Sequence, residues 1–252
     1  MTGIRGMVRP AALGIAGVVL VLVAWQLVAA VDLLDGAVSA PTAVATVLGD
    51  AAQRAVLLDA VTTTAGEAVQ GFFWGLVAGV LLGVLVTVIR PLRAGMDQLA
   101  TIESAIPFVA IAPIMIAVFS REDVPSAIAA ATAFFPLYVA VVAGMDAIAP
   151  AVADLFTVLG ASGRATLLRA RLPAGLPVMA TGLKVGMPLA IVGAVIGEWF
   201  GARAGIGPVM LAAMRGYRMP TMWAAVACTV AVALLLYGIC GLIERLAVAR
   251  FG

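Results

Sequence analysis

The chain has 252 residues, 64% of them hydrophobic and only 11% charged, with a formal net charge of +2. Soluble domains carry about 25% charged residues, so this composition belongs in a bilayer, and basic residues scattered between apolar runs exclude a nucleic-acid-binding surface. Histidine is absent, and Cys228 and Cys240 share one apolar run, about 18 Å apart on a helix, so a histidine-based triad, a zinc site and a disulfide are all excluded within one chain.

Residues 11–31 form an uninterrupted apolar stretch after Arg5 and Arg9. A signal peptide would also be apolar here, and Val28-Ala29-Ala30 has the small residues of a cleavage site. An h-region normally runs about 7–15 residues, however, so the stretch reads as a retained first span. Residues 32–63 carry Asp32, Asp35, Asp50 and Asp59 with helical apolar spacing at Val44, Val47 and Leu48. That pattern predicts an extracytoplasmic amphipathic segment at the membrane surface.

The second span, residues 65–89, has Gly71, Gly75, Gly79 and Gly83 at every fourth position. In lipid, helices associate through close backbone packing, so this ridge predicts a tight helix–helix seam, within the subunit or at a dimer contact. Arg90 and Arg93 end the span. The third span, residues 101–119, holds Glu103, Pro107 and Pro113. Prolines leave backbone carbonyls unpaired, which at membrane depth is tolerated only against protein or a water-filled cavity, so this span is expected to face the interior. After a polar turn at 120–124, the fourth span covers residues 125–145 and is again interrupted by a proline, Pro136.

Residues 150–173 read as water-exposed and still structured, with Arg164, Arg169 and Arg171 crowded together. Asp154 suits the start of a short helix over 154–159, and Gly160 suits a left-handed stop. Ser162 can cap a second helix through Leu167, Leu168 and Arg171, which Pro173 is expected to end. The spacing of Asp154-Leu155-Phe156, Gly160, Ala170 and Leu172-Pro173, with Leu159, Ala161 and Ser162 around the glycine, resembles the cytoplasmic loop of the permease subunit of binding-protein-dependent ABC importers. The acidic-Ala-Ala start of that signature stands here as Asp154-Leu155-Phe156, and its usual isoleucine as Ala170.

The fifth span, residues 176–197, again places small residues four apart, at Gly182, Gly186, Ala190 and Ala194, with Pro188 in its middle. Lys184, the single lysine of the chain, is expected to snorkel to the nearby interface. Residues 198–220 are glycine-rich, and Glu198 followed by Gly205-Ile206-Gly207 is similar to the outer gate loop of the nitrate, sulfonate and taurine branch of these permeases. The last span covers residues 221–243. Arg5, Arg9, Arg90, Arg93, Arg164, Arg169, Arg171, Arg245 and Arg250 fall on the face of the 150–173 loop, against Arg54, Arg121, Arg203, Arg215 and Arg218 opposite. The excess puts both termini and the loop in the cytoplasm of a multi-pass membrane protein.

No GxxxxGK phosphate-binding loop occurs, so the chain is read as a non-enzyme without a cofactor or metal of its own. The resemblance implies an all-α, six-span permease of the type I kind, forming one transmembrane domain over residues 1–252. It implies as partners an ATPase dimer carrying ATP and magnesium, an extracytoplasmic substrate-binding protein and a second permease copy. Asp154, Leu155, Phe156, Leu159, Gly160, Ala161, Ser162, Arg164, Leu172 and Pro173 then form the ATPase-coupling set. Glu103, Pro107, Pro188 and Glu198 are candidates for the pathway or its gates, Glu103 and Glu198 sitting where a charge is inexpensive. The solute is expected to be small and polar or anionic, such as a sulfonate, nitrate or a vitamin precursor. The alternative is a secondary transporter driven by an ion gradient, which would need a mid-span acid pair and matching broken repeats.

Overall fold

The computed structural model describes residues 3–31 and 36–251; Asp32 and Asp35 lie outside them. Among the described residues every regular element is helical. The α-helices are α1 (Gly3–Ala30), α2 (Pro41–Gly49), α3 (Ala51–Val88), α4 (Arg93–Ser104), α5 (Phe108–Val118) and α6 (Val124–Asp146). They continue with α7 (Pro150–Val158), α8 (Gly163–Thr166), α9 (Leu172–Trp199), α10 (Ile206–Arg215) and α11 (Met219–Phe251). Five stretches are long and apolar enough to cross a membrane, in α1, α3, α6, the continuous helix Gly163–Trp199 and α11, and a sixth is possible if α4 and α5 form one broken span.

Two stretches differ from the sequence expectation. Residues 51–63 are not a separate surface segment but the opening turns of α3, whose 38 residues extend for about 57 Å, well beyond the ~30 Å hydrocarbon layer. Residues 101–119 are not one helix: α4 and α5 meet at 100°. At the break Pro107 is extended, with φ −72° and ψ 101°, and has no N–H with which to continue the helix.

The chain forms two compact units. The first comprises Met1–Leu58 and Val209–Cys228. Within it, the Trp25 and Trp223 rings lie 5.4 Å apart and Trp223 Nε1 donates to the Ala37 carbonyl at 2.9 Å. The second comprises Asp59–Pro208 and Thr229–Gly252, and α6 is its centre. Gly71, Gly75, Gly79 and Gly83 all face α6. A Cβ on Gly75 would stand 2.6 Å from the Ala130 carbonyl oxygen, and one on Gly79 3.0 Å from the Tyr138 nitrogen. On an adjoining face of α6, α9 approaches as closely: a Cβ on Gly193 would stand 2.8 Å from Ala129 Cα, Gly182 meets Ala140, and Gly186 meets Leu137. Ala129, Ala133, Leu137, Ala190 and Ala194 are buried between them.

This packing separates two kinds of glycine on α3. Gly75→Val places methyl groups on the α6 backbone and is expected to destabilise the purified chain by about 1–3 kcal/mol, as overpacking does. Gly66 has nothing within 4 Å of an added Cβ, so Gly66→Ala should leave the melting temperature in detergent unchanged or slightly raised.

Candidate functional site

The loop between α6 and α9 is a defined corner. Helix α7 starts with Pro150 in its first turn behind an extended Ala149, the position where a missing N–H does no harm. Asp154 is therefore not the helix start expected from the sequence but a mid-helix, exposed residue. Gly160 has φ +64°, its N–H bonds to the Thr157 carbonyl, and Ala161 N–H bonds to the Phe156 carbonyl at 2.9 Å. This is the paired closure that ends helices at a left-handed glycine. Ser162 Oγ accepts from Ala165 N at 3.3 Å and caps α8.

Pro173 does not end the helix begun at α8. Residues Leu167–Arg171 widen into a π-helical turn in which Leu172 N–H bonds to the Leu167 carbonyl, and α9 then begins with Leu172 and Pro173. The wider turn admits the proline without ending the helix. Leu155, Val158 and Leu159 point outward at the corner, 54%, 84% and 71% exposed, whereas Phe156 is half-buried. Arg164 borders a cavity between the loop and the end of α3. The base of the loop is tied down by charge: Asp146 binds Arg93 at 2.7 Å and lies 3.8 Å from Arg171. Nearby, Tyr138 OH donates to Asp97 at 2.6 Å.

A second polar cluster lies at the opposite end of α6 and α9. Glu198 is 1% exposed, not near solvent as the sequence suggested. Its Oε1 accepts from Thr64 Oγ1 at 2.6 Å, its Oε2 accepts from Gly207 N, and Ile206 N donates to Thr64 Oγ1 at 2.8 Å. Gly205, with φ +103°, and Gly207 let the chain wrap directly over the carboxylate; a Cβ on Gly207 would stand 2.7 Å from Glu198 Cβ. Glu67 of α3 brings its own carboxyl against that of Glu198, and its Oε2 is buried without a partner. Sequence reasoning passed over Glu67, although an acid inside an apolar span was itself a signal.

Elsewhere, Lys184 binds Glu244 at 2.6 Å, and Glu244 also accepts from Thr181. Pro188 lies inside α9. Glu103 stands just before the α4–α5 break with both carboxyl oxygens buried and unpartnered, and Pro107 caps α5.

The loop, the α6 packing and most of the outer cluster fall within residues 71–248, which match the family described as binding-protein-dependent transport system inner membrane component. The chain belongs to that family of ABC importer permeases. This permease is 33% identical over 168 residues, 66% of its length and 67% of the relative's, to a probable ABC transporter permease protein of Haemophilus influenzae. It is 32% identical over 138 residues, 54% of its length and 55% of the relative's, to the formylaminopyrimidine transport permease ThiX of Halalkalibacterium halodurans. The chain thus spans between about half and two thirds of these curated relatives' lengths. Other relatives are named for riboflavin, aliphatic sulfonate and nitrate transport. Its fold matches the inward-facing MetNI methionine ABC transporter with a TM-score of 0.66 at 19% identity, over 79% of this chain and 99% of that one. The permease therefore has the type I importer fold.

The carboxyl cluster yields a paired prediction. Adjacent carboxyls repel or must take up a proton, so Glu67→Gln, which supplies an amide donor, should stabilise the purified permease. Glu198→Gln turns an amide N–H toward the Thr64 or Gly207 donor and should destabilise it by about 1–3 kcal/mol. Thermal melting of both variants in detergent checks the opposite signs.

Proposed function

We propose that this permease forms the translocation pathway of an ABC importer for a small polar or anionic solute and is driven by a separate ATPase gripping residues 150–173. The exposed apolar corner carries this reading. Leu155, Val158 and Leu159 stand out on a segment that Arg164, Arg169 and Arg171 keep out of the hydrocarbon layer, which suits a seat in a partner protein. Asp154, Phe156, Gly160, Ala161, Ser162 and Arg164 complete the coupling surface, and Leu172-Pro173 joins it to α9.

In this account both termini and the corner are cytoplasmic, in keeping with the arginine excess on that face. ATP and magnesium reside on an ATPase dimer, a binding protein delivers solute from outside, and a second copy of the chain completes the pathway. The residues 11–31, 65–89, 125–145, 176–197 and 221–243 supply five spans, and α4 with α5 a broken one. Glu103 and Pro107 at that break are assigned to the pathway, because interrupted helices at membrane depth suit a cavity wall, and Pro188, whose missing N–H leaves a carbonyl of α9 unpaired, is assigned with them. Glu198 is assigned to the outer gate. The relatives named for formylaminopyrimidine, riboflavin, sulfonate and nitrate transport support a small polar solute.

The test is Gly160→Val. A β-branched residue resists the left-handed conformation by roughly 1–2 kcal/mol, enough to shift the corner without disturbing α6. In proteoliposomes with the ATPase and binding protein, the complex should still assemble and hydrolyse ATP while solute uptake falls to background. Undiminished uptake would refute the coupling assignment.

A further inference from the structure

Behind the corner, where apolar α3 ends at Val88, lies an open cavity of about 640 Å³. Arg90, in the turn after α3, and Arg164 and Arg171, on the continuous helix Gly163–Trp199, border it, and no acidic residue among the described ones does. Arg171 lies 3.8 Å from Asp146, itself bound more closely by Arg93, and Arg90 and Arg164 form no ion pair with any described residue. Thr87, Thr157 and Thr166 also border the cavity, but their hydroxyls donate to the Gly83, Ala153 and Ser162 carbonyls. The donors left for a ligand are therefore the guanidinium groups, whose planar forks match a phosphate.

We infer that this cavity binds a phosphate-type oxyanion, presented at this depth by the headgroup of an anionic lipid. The placement favours that source: the arginines sit where the hydrophobic helix gives way to polar chain, the level of headgroups in a bilayer. A free phosphate ion carries the same chemistry. The inference concerns the cavity wall and does not depend on which protein grips the corner.

The test uses the full-length permease purified in detergent, with native mass spectrometry counting retained phosphatidylglycerol against phosphatidylcholine of the same acyl chains. Inorganic phosphate is titrated as a competitor. Phosphatidylglycerol should be retained in preference, with affinity falling about fivefold for each arginine removed in Arg90→Gln and Arg164→Gln. Preference that resists millimolar phosphate assigns the site to lipid, and preference erased by it assigns the site to the free ion; both support an oxyanion site. Equal retention of the two lipids without phosphate binding overturns the inference. So does preference surviving both substitutions in variants that melt like the parent, or cavity arginines protected from modification only by a bound protein.

Discussion

Everything in the second unit depends on how closely the backbones of α3 and α9 approach α6. In a bilayer the lipid tails are as apolar as leucine, so helices hold together through van der Waals contact rather than expulsion of water. That contact requires small residues on both helices that pack on α6, and Gly71, Gly75, Gly79 and Gly83 on α3 and Gly182, Gly186 and Gly193 on α9 supply it. The 23 residues of α6 extend for about 35 Å, comparable with the hydrocarbon layer. At one end, Pro125 lies against Gly197, next to Glu198. At the other, Asp146 holds Arg93 and approaches Arg171 at the root of the corner. The same helix thus touches both polar clusters.

The polar groups of the second unit obey the logic of a dry environment. Glu198 is acceptable inside because two side-chain and backbone donors meet it and two glycines let the chain close over it. Glu103 has no such partner among the described residues, although both of its carboxyl oxygens are covered by the chain's own atoms.

What was legible in the sequence was local. Four glycines at a period of four announce a packing ridge wherever they occur, and a glycine with a serine two residues later announces a helix stop and a new cap. Both features reflect the conformational range of single residues, and α3 and Gly160 have them. Where neighbours compete, the reading slipped: Asp154 is a plausible helix start, but Pro150 is a better one, and a π-helical turn at Leu167–Arg171 lets the helix pass Pro173. What was not legible was pairing across the chain. Thr64 and Glu198 are 134 positions apart and Lys184 and Glu244 are 60 apart, so no local pattern marks them as partners, and Glu198 alone reads as an interfacial charge. The α4–α5 break was signalled by Pro107, but a sharp bend and a mild kink begin from the same residue.

Coupling through residues 150–173 requires the corner to move together with α6, whose Asp146 binds Arg93 and approaches Arg171 at the corner's root, so the decisive measurement is a distance within one chain. Spin labels at Leu159 and Val139, both exposed, in a background lacking Cys228 and Cys240, can be tracked by double electron–electron resonance in the assembled transporter. The account predicts the same distance distribution without nucleotide and with ATP bound, while labels at Leu159 on two neighbouring copies change separation. A shift within the single chain would show the corner swinging independently of α6 and would contradict it.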